Sequence, residues 1–254
     1  MTTTIAISGK GGSGKTTLAA MVIKILLGQT HGAILAVDAD PNSSLGLTCG
    51  VEPAGTIAEI REQARAKKPS GGVDKLRSFE YGIQQAITEA TGFDLLTMGR
   101  PEGPDCYCAV NNMLRTFLDK LSSQYQYVVI DNEAGMEHLS RRTTNNVDLL
   151  LIVAEPTVLG TLTARRIIEL AKKLPIVVKE VGVIWNSTRV DAVKGDIDKF
   201  EIPQFGWIPY DKSIFDASMQ GKTVFDLEDN SPAFLAVREI LDNKLKLNKV
   251  VTDK

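Results

Sequence analysis

The feature that most constrains this chain is Gly9-Lys10-Gly11-Gly12-Ser13-Gly14-Lys15-Thr16-Thr17. The β-branched, apolar run Thr3–Ser8 precedes it and predicts a strand. The helical pattern Thr16–Leu27 follows it. A glycine-rich turn between strand and helix lets the backbone curl until successive N–H groups point at one place. The helix N-terminus adds partial positive charge there, so the place suits phosphate. In such a loop the lysine before the helix, Lys15, reaches β- and γ-phosphates, and the next hydroxyl, Thr16, suits Mg²⁺. Gly11, Gly12, Ser13, Gly14, Lys15, Thr16 and Thr17 are therefore the expected binding residues for ATP and Mg²⁺.

The rest of the chain repeats this alternation. Strands are expected at Thr3–Ser8, Ile34–Asp38, Phe93–Met98, Tyr127–Asp131, Leu149–Ala154, Val181–Trp185 and Phe205–Ile208. Several are apolar at every position, as strands covered on both faces should be. Helices are expected at Thr16–Leu27, Ile57–Ala66, Asn112–Ser123, Glu137–Asn146, Thr161–Leu174 and Pro232–Leu245, with Gly28 stopping the first. Strand and helix in alternation predict an α/β fold with a doubly wound, mostly parallel sheet flanked by helices. All 254 residues fit one such domain. Ala66–Tyr81 reads as a surface excursion, and the polar tail from about residue 245 as a frayed end.

Two carboxylate positions fall where a nucleotide site needs them. Asp131 ends the run Tyr-Val-Val-Ile and so emerges at the C-terminal edge of the sheet, where ligands of such folds bind. A carboxylate there can hold the Mg²⁺ shell through water. Gly135 follows and can offer a backbone N–H near the γ-phosphate. Asp38 and Asp40 close the second strand and point to the same edge, where one of them could orient the attacking water. Lys plus Arg number 29 against 31 Asp plus Glu, a net charge of −2, which argues against a dedicated nucleic-acid binder. Three cysteines, no signal-peptide pattern and no apolar run long enough to span a bilayer predict a cytoplasmic protein without a membrane anchor.

The loop resembles the deviant phosphate loop of the large family that includes MinD, ParA and the nitrogenase iron protein, whose mark is the second lysine, here Lys10. The resemblance implies a P-loop NTPase of the SIMIBI type. In that family this lysine reaches across a two-fold axis to the partner subunit's nucleotide, so Lys10 joins Lys15 as a catalytic residue and the protein forms a homodimer. Asp38-Ala39-Asp40-Pro41-Asn42 resembles the first switch, which makes Asp40 the water-orienting residue. Asp131-Asn132-Glu133-Ala134-Gly135 resembles the second switch. Asn186 resembles the adenine-reading asparagine, and Ile208-Pro209-Tyr210-Asp211 the segment flanking the base.

Cys106-Tyr107-Cys108, in a loop near residues 99–110, bears on what the ATP is used for. In an extended segment residues i and i+2 face one side, so both sulfurs can converge as half of a tetrahedral soft-metal site. A two-fold axis doubles two thiolates to four. Four sulfurs suit Zn²⁺ or an iron–sulfur cluster, whereas Ni²⁺ favours a square-planar set. Cys49 reads as a small buried apolar residue. The cysteine pair, with Asp131 to Leu139 and Arg141, resembles the CooC type of nickel-binding ATPase that matures carbon monoxide dehydrogenase and acetyl-CoA synthase. That resemblance implies nickel or zinc held by Cys106 and Cys108 at a dimer interface, with one of those enzymes as client. A MinD- or ParA-like positioning ATPase is one rival reading. An electron donor resembling the iron protein, with a bridging iron–sulfur cluster, is the other.

Overall fold

A computed structural model describes residues 2–30, 32–66, 81–100, 120–134, 146–188 and 201–245. Its frame is set by strands with no polar face. In β1 (Thr3–Gly9), β2 (Ile34–Asp38) and β5 (Tyr127–Asp131) nearly every residue is buried, and such strands need cover on both sides. They lie at the centre of an eight-stranded sheet. The other strands are β3 (Ile87–Glu89), β4 (Phe93–Thr97), β6 (Asn146–Ala154), β7 (Val177–Thr188) and β8 (Gln204–Pro209). Their spatial order is β3-β4-β2-β5-β1-β6-β7-β8. All neighbours are parallel except the edge pair β3–β4.

Alternation along the strands feeds two cores. Ile5 and Ile7 of β1 join Ile34, Ala36 and Val129 under α1 (Lys15–Gln29), α2 (Ser44–Cys49) and α6 (Pro232–Leu245). Ala6 between them joins Leu35, Val37, Val128 and Ile130 on the opposite face, under α3 (Ile57–Ala66), the helical residues 81–86 and α4 (Val158–Lys173). The chain thus winds to both faces of a mostly parallel sheet, as the alternation predicts. A further helix, α5 (Lys212–Met219), follows β8 and brings Ile214 against the α1-side core.

All seven expected strands are present, and several boundaries move. The expected helix Glu137–Asn146 cannot include Asn146, which begins β6 and pairs with Val177; its other residues lie outside those described. Gly28 does not stop α1. The helix runs to Gln29 because its last turn is held from outside: Gln29 Nε2 donates to Asp242 Oδ1 at 3.1 Å, and Thr30 Oγ1 to Gln126 Oε1 at 3.0 Å. α4 begins three residues earlier than its apolar pattern, because Thr157 caps it and accepts a bond from the Gly160 amide at 3.0 Å. Of the expected helix Asn112–Ser123 only the end is described, with residues 120–122 helical. Among the described residues no helix is long and apolar enough to cross a membrane.

Candidate functional site

The parallel register brings the C-terminal ends of β2, β5, β1 and β6 to one edge. Asp38 lies opposite Asp131, Asp131 opposite Ile7, and Gly9 opposite Val153. The glycine-rich loop rises from this edge. A Cβ on Gly9 would stand 2.3 Å from the Val153 carbonyl oxygen, so the strand cannot turn into the loop with any other residue there. Gly14 ends the loop in the left-handed region (φ 95°), and a Cβ on it would meet Asn186 Nδ2 at 2.3 Å. Gly14 is the N-cap of α1; no side chain caps that helix, and its first turn holds no acidic residue. Its N-terminal positive end is therefore left for a ligand.

Lys15 is buried and its Nζ donates back to the Lys10 carbonyl at 3.3 Å, across the hollow of the loop. Lys10 is exposed. Thr16 Oγ1 donates to Asp131 Oδ2 at 2.6 Å. The other carboxylate oxygen, Asp131 Oδ1, is buried and has no hydrogen-bond partner among the described residues. A threonine hydroxyl and an orphaned carboxylate oxygen make a hard-oxygen set that fits Mg²⁺. Burial pushes the Asp131 carboxyl up to about 6, and the nearby Asp40 charge adds to this. The Thr16 bond and the Lys15 charge oppose the rise without cancelling it.

Asp38 differs from Asp131 in what holds it. It is fully buried, and its oxygens accept from the Leu45 amide at 2.8 Å and the Asp40 amide at 3.2 Å. Burial, aided by the Asp131 charge, pushes its carboxyl up to about 7. Asp40 stands further out, and its Oδ1 accepts from both the amide and the side chain of Asn42, each at 2.9 Å. Cys49 lies in the α1-side core, where burial first, and then the Asp38 and Asp131 charges, push its thiol up to about 12. It is a neutral, apolar residue there.

Asn186 and Ser187, at the end of β7, face the loop from the other side. Asn186 Nδ2 donates to the Ser13 carbonyl at 2.8 Å, and its Oδ1 accepts from the Ser187 amide at 2.8 Å. With Gly14, Thr17, Pro209 and Tyr210 they line a cleft of about 290 Å³. The volume leaves room for a base beside the phosphate loop. Met21, Ile214 and Phe215 line it too, and these three were not anticipated from the sequence. α5 had a readable start: Asp211 caps it through the Ser213 amide, two residues on.

The structure therefore gathers Lys10, Gly11, Gly12, Ser13, Gly14, Lys15, Thr16, Thr17, Asp38, Asp40 and Asp131 at one sheet edge, with Asn186, Pro209 and Tyr210 along the adjoining cleft. Gly135, Cys106 and Cys108 lie outside the described residues. Among the described residues there is no group of three or more His, Cys, Asp or Glu placed to hold a metal ion.

The chain has likenesses among known proteins. A family model described as the CobQ/CobB/MinD/ParA nucleotide binding domain matches residues 4–224. The chain is 39% identical over 245 residues to an uncharacterized ATP-binding protein of Methanocaldococcus jannaschii, covering 94% of this chain and 96% of that one. It is 34% identical over 247 residues to the carbon monoxide dehydrogenase accessory protein CooC of Rhodospirillum rubrum, covering 90% of each. Among solved structures it superposes on the septum site-determining protein MinD of Pyrococcus horikoshii, a complex with Mg-ADP. That match has a TM-score of 0.68 and 22% identity over 96% of each chain, and it speaks to the fold alone.

Proposed function

The chain belongs to the CobQ/CobB/MinD/ParA nucleotide-binding family, and on that premise we propose that it is a Mg²⁺-dependent ATPase that works as a homodimer and handles nickel or zinc for a carbon monoxide dehydrogenase or acetyl-CoA synthase. The observation that carries the ATPase reading is the 2.6 Å bond from Thr16 to Asp131, beside an orphaned carboxylate oxygen and a buried loop lysine. Thr16 holds Mg²⁺ and Asp131 its shell, and the ion when bound neutralises charge on the β- and γ-phosphates. Lys15 exchanges its weak contact with the Lys10 carbonyl for the β/γ-phosphates. The loop amides and the free end of α1 hold the phosphate oxygens. Asp40 orients the attacking water, and the Gly135 amide lies by the γ-phosphate. The base lies in the cleft, read by Asn186 and flanked by Pro209 and Tyr210.

Lys10 acts in trans in this reading. It is exposed, and Leu159 of α4 lines the same hollow beside the loop. Val158, Leu159 and Leu162 are 65, 57 and 47% exposed, an apolar ridge next to that lysine that favours a second copy as cover. A lysine that touches the partner's nucleotide makes ATP part of the dimer contact, so hydrolysis reshapes the dimer.

The metallochaperone part rests on the 34% identity to CooC and on Cys106-Tyr107-Cys108. Its test is a Ni²⁺ and Zn²⁺ titration with and without ATP, with oligomer size followed at each point. One ion per dimer is expected, dependent on both cysteines. If Cys106→Ser/Cys108→Ser binds either ion with unchanged affinity, the metal reading is wrong. A charge-transfer band in anaerobically purified protein would favour the iron–sulfur electron donor instead. Vesicle flotation or a salt-dependent DNA shift would favour the positioning ATPase.

A further inference from the structure

The loop that carries Asp40 is anchored in an unusual way. α2 begins at Ser44, and its N-cap residue, Ser43, sits in the left-handed region (φ 51°) and makes no side-chain cap bond. A six-residue helix left uncapped is poorly stable, because its first amides lack acceptors. The missing acceptor comes from elsewhere. Asp38 Oδ2, at the end of β2 and seven residues upstream, accepts the Leu45 amide at 2.8 Å. Asp38 Oδ1 accepts the Asp40 amide at 3.2 Å.

One fully buried carboxylate thus grips both ends of the segment that connects β2 to α2. The grip is reinforced by backbone. Ala39 donates its amide to the Asp131 carbonyl at 2.9 Å, and the Ser43 amide to the Asp40 carbonyl at 2.9 Å. The Asp38 carbonyl in turn accepts the Met98 amide at 2.8 Å, which fixes the strand end itself. Asp40 has no such burial. Among the described residues its carboxylate accepts only the two bonds from Asn42.

We propose that Asp38 is a positioning residue: it holds Asp40 at the sheet edge by bonding the Asp40 amide and by capping α2 from within β2. Both of its oxygens are occupied by amides of its own loop, so its work is done on the chain rather than on nucleotide or metal. Charged acceptors make the stronger amide bonds, which accounts for a carboxylate at a site where burial disfavours one. The inference rests on the ATPase reading for its consequence, and on the geometry alone for the anchoring.

The test uses Asp38→Asn and Asp38→Ala in the full chain, each also combined with Asp40→Ala. Asn keeps one acceptor, so it should lose one of the two anchors; Ala loses both. Amide hydrogen exchange over residues 39–49 should quicken about tenfold in Asp38→Asn, with residues 9–17 unchanged. Mg²⁺-ADP affinity should stay within about threefold of the unaltered protein, while turnover falls at least about tenfold. Because Asp38 acts through Asp40, adding Asp38→Asn to Asp40→Ala should lower turnover no further. Multiplying losses in the double variant, or a large loss of Mg²⁺-ADP affinity in Asp38→Asn, would overturn the inference and make Asp38 a direct ligand. Unchanged exchange over 39–49 would overturn it without touching the ATPase reading. Absence of turnover in the unaltered protein would overturn the ATPase reading and leave the exchange result to decide the anchor.

Discussion

Replacing Asp131 by Asn should make the nucleotide-free protein more stable at pH 8 and remove its response to Mg²⁺-ADP. The stability part follows from burial. Asp131 is fully buried, and its carboxyl is raised from 3.8 to about 6. At about 1.4 kcal/mol per pH unit, ionising it inside the fold costs roughly 3 kcal/mol relative to ionising it in the unfolded chain. Asn is neutral and nearly isosteric. It keeps an acceptor for Thr16, and the stronger bond to the ionised carboxylate is already contained in the raised carboxyl. The gain at pH 8 is therefore about 3 kcal/mol, which in a chain of this size raises Tm by roughly 6–12 °C.

The sign with pH is fixed by the same shift. A carboxyl raised in the folded state favours folding below its unfolded value, near 4, and loses that advantage as pH climbs to about 6. Above that pH both states are ionised and the difference is flat. The advantage of Asp131→Asn should therefore be full at pH 8 and fall to about a third at pH 4.5. The assay is thermal unfolding at both pH values, with a chelator present, repeated with Mg²⁺-ADP. Ligand at about a hundred times Kd should add about 2.7 kcal/mol to the unaltered protein and far less to the variant. A variant that melts lower than the parent at pH 8 would refute the reasoning, as would a gain that is equal at both pH values.

Two further substitutions test the site from other directions. Lys10→Ala should lower turnover and ATP-driven dimerisation while sparing ADP binding to the monomer, read by sedimentation and phosphate release; unchanged turnover contradicts a lysine acting in trans. Gly14→Ala should abolish nucleotide binding and cost about 1–3 kcal/mol of stability, because a side chain is strained at φ 95° and its Cβ would press on the Asn186 amide group that holds the loop. Nucleotide binding retained in that variant would mean the loop can adopt another path.

What the sequence disclosed depended on whether a residue acts locally. The phosphate loop, its strand and its helix are contiguous, so glycine spacing and flanking pattern located them. Asp131 was legible for the same reason, at the end of a fully apolar strand. β3 was not, because three residues hold too little periodicity to read. α2 escaped because its cap comes from Asp38 rather than from Ser43, and Gly46 sits inside it. Gly46 itself is explained by packing: a Cβ there would stand 2.7 Å from the Val51 carbonyl oxygen. Gly28 was misleading for the converse reason, since long-range bonds from Gln29 and Thr30 carry α1 past it.

The two buried carboxylates of the sheet edge also separate cleanly once their partners are known. Strand alternation puts Asp38 and Asp131 opposite each other and says nothing more about them. Asp38 has both carboxylate oxygens on its own loop, whereas Asp131 has one on Thr16 and one without a partner among the described residues. Two raised carboxyls side by side destabilise the empty protein at neutral pH, and the Asp131 charge adds to the resistance of Asp38 to ionisation. A cation bound at the orphaned oxygen would relieve both, directly for that oxygen and through space for its neighbour. Ligand binding would then be coupled to the order of the Asp40 loop through charge. Mg²⁺-nucleotide should accordingly slow amide exchange over residues 39–49 in the unaltered protein, and this slowing should be lost in Asp131→Asn even though that variant is the more stable fold.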